Sequence, residues 1–204
     1  IYLTGHLNEA KFAKATSSLE GLDDGSELGI IVDSYSGDLI ASLVFAKAVY
    51  KLKKSKKVRV SLYIKEQAIG PAAVIPFVAD SISTAIIASW GAVINDGNQG
   101  LSTNVIKSQL RSIIDHSAAD SATLIMLAEA MADPNMLVFV DGSKWRLGNK
   151  SSMGDSKHLV SPVGETLILD QHQMVALGLS SALVVPPSFL EEDVAEVADE
   201  DNGT

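Results

Sequence analysis

Short β-branched runs alternate with helical patterns through the first half of the chain, and this alternation constrains the fold more than any other feature. IYLTG is followed by NEAKFAKATSSLEG, ELGIIVDSY by DLIASLVFAKAVYKLKKS, and VRVSLYI by AAVIPFVAD before ISTAII. A helix between successive strands returns the chain to the same end of the sheet, so the strands pair in parallel through right-handed crossovers. The middle helix carries Leu39, Leu43, Val44, Ala46, Val49, Tyr50 and Leu52 at helical spacing, which predicts one face against the sheet. Its lysines, Lys51, Lys53, Lys54, Lys56 and Lys57, cluster where cations complement a helix C-terminus and read as a solvated end.

Beyond Asn95 the pattern turns helical, with STNVIKSQLRSIIDHS capped by Ser102 or Thr103 and ADSATLIMLAEAMAD capped by Asp120. MLVFVDGSKWRLG predicts a hairpin and NKSSMGDSKH a polar loop. GETLILDQHQMVALGLSSALVV predicts a strand, a helix capped by Asp170 that stops at Gly178, and a last strand.

With 204 residues, 47% of them apolar, and no internal linker, residues 1–187 are expected to form one domain around a single core. Residues 188–204 crowd like charges after a Pro-Pro stop and read as a disordered acidic tail. The net charge of −9 argues against nucleic acid, whose binding rests on lysine and arginine neutralising phosphate. The chain has no cysteine, which excludes disulfides, thiolate metal sites and cysteine nucleophiles. Its apolar runs fall short of the roughly 20 residues needed to span a bilayer. No leader is visible at its start, and the chain reads as a piece of something longer.

The most pointed segment is KEQAIGPAAVIPFVADSI, residues 65–82: a strand end, a tight turn and a buried small-residue helix. Many hydrolases mount a nucleophile in such a setting, yet this turn holds Gly70 and Pro71. Together with Asp33-Ser34-Tyr35-Ser36-Gly37 upstream, LAEAMADPNMLVFV and GETLILDQHQMVALGLSSAL downstream, it resembles the Clp protease/crotonase superfamily. The similarity is to the membrane-associated branch of NfeD-type and signal-peptide-peptidase-A-type serine proteases. That branch shows D-S-P-G-G where this chain has residues 33–37, A-x-S-G-A-A where it has residues 68–73, and A-C-D-x-I where it has residues 78–82. The matching segments lie between residues 27 and 185. The resemblance implies an α/β fold, a superhelical ββα spiral with a helical excursion, and an envelope-associated protein anchored only through segments outside this chain.

Acyl transfer needs a nucleophile, a base and two N–H groups facing the oxyanion. The resemblance aligns Gly70 with the nucleophile, and glycine has no side chain to attack with. It aligns Pro71 with one oxyanion donor, and proline has no N–H. The second donor comes from the first motif, where Gly37 remains but Ser36 and Tyr35 replace the first glycine and the proline. The base of that branch, a lysine or histidine near the start of the next helix, aligns with Leu101. Lys107 lies almost two turns further on and reads as an exposed helix lysine.

These losses predict a pseudoenzyme: an oligomeric scaffold, or a domain that binds a peptide or a membrane-protein partner near Ser36, Gly37, Gly70 and Pro71, with no catalytic residue, cofactor or metal. The alternative is a serine endopeptidase with a relocated nucleophile, Ser34 or Ser36, served by Lys65 or Lys107. His6, His116, His158 and His172 show no metal-ligand spacing. Asp115 and His116 are helix neighbours whose side chains point apart. His172 reads as a surface residue, and Trp145 as packed on its own domain.

Overall fold

The computed structural model describes residues 1–93, 100–141, 144–148, 158–161 and 164–182. The acidic tail and all of the polar loop but His158 lie outside these residues. Strand β1 (Tyr2–Leu7), helix α1 (Glu9–Ser17), β2 (Glu27–Gly37), α2 (Leu39–Lys56) and β3 (Arg59–Ile69) open the fold. A 3-10 helix (Gly70–Val78), β4 (Ser81–Thr84) and β5 (Ser89–Gly91) follow. The helical excursion is α3 (Thr103–Ile113) and α4 (Ser121–Ala132). The chain then runs through β6 (Leu137–Asp141), β7 (Lys144–Gly148), β8 (His158–Leu159), β9 (Ile168–Asp170), α5 (Gln171–Ala176) and β10 (Ser180–Ala182).

The main sheet runs in the order β1-β2-β3-β4-β10, and every one of these pairs is parallel. β3 divides its partners: Ser61 to Ile64 pair with β4, and Gln67 to Ile69 pair with β5, which meets β9 in antiparallel. The sheet therefore turns a corner along β3. A smaller antiparallel sheet, β7-β6-β8, contains the expected hairpin.

Central strands covered on both faces read as unbroken apolar runs. Ile30 and Val32 on β2, Val60, Leu62 and Ile64 on β3, and Phe45, Ala46 and Val49 on α2 all belong to one buried cluster. Asn8 and Asp38 cap α1 and α2, accepting from the Lys11 and Ala41 N–H groups. Asp170 forms a capping box with Gln173 on α5.

Several expectations need correction. Residues 70–78 wind as a 3-10 helix, because Pro71 and Pro76 have no N–H to give and the Pro76 ring would collide with the Ala72 carbonyl in an α-helix. Ser102 and Asp120 occupy N-cap positions but make no capping hydrogen bond with their side chains. The α2 lysines are not simply solvated. Lys53 lies 2.7 Å from Asp80 and donates to the Val78 carbonyl, Lys54 lies 2.7 Å from Asp115, and Lys56 donates to the Leu22 carbonyl. They fasten the end of α2 to three neighbouring segments.

Candidate functional site at the strand ends

β1, β2 and β3 end on one edge of the sheet, at Leu7, Gly37 and Ile69. Parallel strands bring their C-terminal residues together here, the usual place for a site in such a sheet. Registers of His6 with Ser36, Leu7 with Gly37, and Ser34 with Ala68 align the two motif loops side by side.

Gly37 is required by close approach: a Cβ on it would lie 2.3 Å from the Leu7 carbonyl oxygen. The next residue, Asp38, donates its N–H to that same carbonyl at 2.7 Å. Ser34 is buried, its hydroxyl donating to the Ser36 carbonyl at 3.1 Å and accepting the Ser36 N–H at 3.4 Å. It is therefore committed to holding the loop. Ser36 is half-buried, and its Oγ stands 3.1 Å from Nδ1 of the exposed His6. Tyr35 turns outward. Across β3, Asp33 is drawn above its ordinary value by burial and by the Glu66 charge, against the pull of Lys65 and the Gln67 N–H.

Gly70 sits in the left-handed region at φ 61, where glycine is favoured. Pro71 follows at the first turn of the 3-10 helix, and residues 70–78 are buried throughout. Ser42 on α2 donates to the Pro71 carbonyl at 2.5 Å, and Trp90 on β5 donates to the Ala73 carbonyl at 2.9 Å. The turn is thus clamped from both sides. It offers no side-chain nucleophile at 70 and no N–H at 71. Of the four candidate residues, Gly70 and Pro71 lie inside, and Ser36 and Gly37 are partly accessible.

Lys107 is not an exposed helix lysine. Its ammonium lies 3.0 Å from both Glu129 and Asp133, in a largely buried cluster that Arg111 joins through Glu129. Burial would lower its proton affinity, but hydrogen bonds to Asp133 and Glu129 outweigh this and raise it. A lysine so held is a poor base. Lys65 is exposed and faces Asp33 at 4.0 Å. Leu101 packs against the core.

His116 bonds the Arg111 carbonyl while Asp115 turns to Lys54, so they form no acid–histidine pair. His172 is exposed, and Trp145 packs partly against the core. Trp145 and Arg146 also line a hollow of about 390 Å³ with Met126 and Leu177. Among the described residues no group of three or more His, Asp or Glu side chains is placed to hold a metal ion.

The partner that sequence reasoning missed is His6. Its signal was the register of β1 on β2: aligning LTGHL with SYSG from their strand ends sets His6 beside Ser36.

No protein-family model matches the chain, and no curated protein matches it. Among solved structures it is similar to ClpP1 from Listeria monocytogenes, at 10% identity over 93% of each chain with a TM-score of 0.57. It is also similar to a peptidase from Plasmodium falciparum, at 11% identity over 91% of this chain and 95% of that one, with a TM-score of 0.51. At such identities the likeness is one of architecture, and the conclusion it supports is that this chain has a ClpP-like protease fold.

Proposed function

We propose that the chain is a noncatalytic relative of the NfeD-type and signal-peptide-peptidase-A-type proteases, acting as an oligomeric scaffold or peptide-binding domain. One observation carries this reading: the turn that faces the strand ends consists of a left-handed Gly70 and an N–H-less Pro71. Removing one oxyanion donor costs about 10²–10³ in rate, and loss of the nucleophile costs more. The competing reading, a serine endopeptidase using Lys65 or Lys107 as base, is disfavoured by the ion cluster around Lys107.

Peptide binding is supported by β1, which among the described residues is an edge strand, paired on one side with β2 as far as Ser36 and Gly37 and open on the other. An extended peptide adds to such an edge through main-chain hydrogen bonds. Among the described residues no helix is long and apolar enough to cross a membrane, so envelope association would reside in segments outside them.

The purified protein is expected to leave casein intact, and cleavage would overturn the proposal. Gly70→Ser should also be inactive, because Pro71 still supplies no donor. It should lose about 1–2 kcal/mol of stability, since a serine would be forced into the left-handed region. Gly70→Ser combined with Pro71→Gly is the fairer rescue. Proteolysis by the single variant would show that the turn is misaligned with the family motif.

Self-association has a surface to use. Lys47 bonds Gln109 and Lys54 bonds Asp115, so α2 and α3 run in the same direction. Val44 and Val105, 59% and 41% exposed, therefore lie at one level, with Ile40 a turn away on α2. Val44→Glu places a charge in this apolar face and is expected to dissociate the assembly in light scattering. A wild-type monomer at every concentration would refute the scaffold.

A further inference from the structure

We propose that Ser36 and His6 form a nucleophile–base pair that accepts acyl groups from activated esters, at a position distinct from the Gly70 turn. The inference rests on Ser36 Oγ and His6 Nδ1, 3.1 Å apart on adjacent strands. That is the separation over which a general base takes a hydroxyl proton.

The pair is built into the fold. A register shift between Thr4 and His6 sets His6 opposite Ser36, and such bulges re-aim side chains beside sites. Ser34 holds Ser36 from both its N–H and its carbonyl, and Gly37 is locked against Leu7. The serine that attacks thus stands on a fixed backbone. His6 is exposed, so with its proton on Nε2 the imidazole accepts at Nδ1 and exchanges with water at its far side. Charged residues on the packed elements include Glu9, Lys11 and Lys14 of α1, Asp33 of β2 and Asp38 at the start of α2, and Lys11 donates to the Thr4 carbonyl.

The N–H groups of Ser36 and Asp38 are already given, to Ser34 Oγ and to the Leu7 carbonyl, and this sets the substrate class. Amides need strong oxyanion stabilisation and a protonated leaving group, whereas aryl esters and thioesters expel a weakly basic group without it. In the reaction, Ser36 Oγ bonds to the acyl carbon as its proton passes to Nδ1. The carbon–oxygen or carbon–sulfur bond breaks, and the departing phenolate or thiolate carries its electron pair away. His6, left doubly protonated, gives its extra proton to the departing anion or to water. A water molecule then attacks the acyl-serine as His6 takes its proton, and the carboxylic acid leaves as His6 returns that proton to Ser36 Oγ.

Two probes test this on the whole protein: an alkyl fluorophosphonate followed by intact-mass and peptide mapping, and p-nitrophenyl acetate hydrolysis. We expect one adduct, on Ser36, and ester turnover that Ser36→Ala abolishes. His6→Gln should slow both by about 100-fold, the contribution of a positioned general base. Unchanged melting temperatures in both variants separate chemistry from folding. No adduct on Ser36, or labelling indifferent to His6→Gln, overturns the proposal. Casein cleavage bears on the previous reading instead: an unlabelled chain that digests casein refutes the scaffold, and a labelled one that leaves casein intact supports the Ser36–His6 pair and narrows that reading to the loss of peptidase activity.

Discussion

Trp90→Ala is expected to lower the unfolding free energy by about 4 kcal/mol, the usual cost of emptying a tryptophan-sized space in a core. Trp90 is fully buried on β5, its ring centroid 5.0 Å from that of Phe77, and its Nε1 donates to the Ala73 carbonyl. The substitution removes apolar contact, an aromatic pair and a buried hydrogen bond in one step. Trp90→Phe should cost less, about 1–3 kcal/mol, because the ring is partly retained while the Ala73 carbonyl is left unmet. Urea unfolding of both variants checks this, and equal losses would mean that the retained ring contributes nothing.

Lys107→Ala is expected to cost about 3 kcal/mol, because it strands Asp133 and half of Glu129 in a poorly hydrated pocket. The side chains of Lys107, Glu129 and Asp133 are 13%, 8% and 16% exposed, so water replaces little of what is lost. Lys107→Met with Glu129→Leu and Asp133→Asn should be less damaging than Lys107→Ala alone, since the uncompensated charges leave together. The cluster also sets a pH window. Burial would raise Asp133, but hydrogen bonds from Lys107 and Asn135 outweigh it and hold the carboxyl below its ordinary 3.8. Its contribution is therefore present above pH 3.8 and lost as pH falls through the depressed folded value. Lys107 is raised above 10.5, so its contribution is present below that pH and fades only as pH climbs through the higher folded value. Urea midpoints at neutral and acid pH should differ more in the wild type than in Lys107→Ala, and identical acid sensitivity would remove Asp133 from the account.

Lys107 shows where reading along the chain stops. Its helical neighbours place it on α3 and nothing local marks it as buried, because the acids that meet it stand on α4 and at its C-terminal cap. Lys53, Lys54 and Lys56 misled in the same way, clustered by sequence but distributed by the fold to Asp80, Asp115 and the Leu22 carbonyl. The 3-10 form of residues 70–78 differs in kind: Pro71 and Pro76 were in plain view, and the missing N–H groups needed only to be counted. β5 escaped because only three residues, Ser89 to Gly91, form it, within an apolar run that has no alternation of its own.

The alternation of the main strands and helices, their parallel pairing and the residues of the Gly70–Pro71 turn were determined by the sequence, since hydrophobic period, strand spacing and the absence of a side chain or an N–H are local properties. Which side chains face one another was decided only by the tertiary structure. His6 meets Ser36, and Lys107 meets Glu129 and Asp133, because strand register and helix packing bring together residues that no local pattern relates.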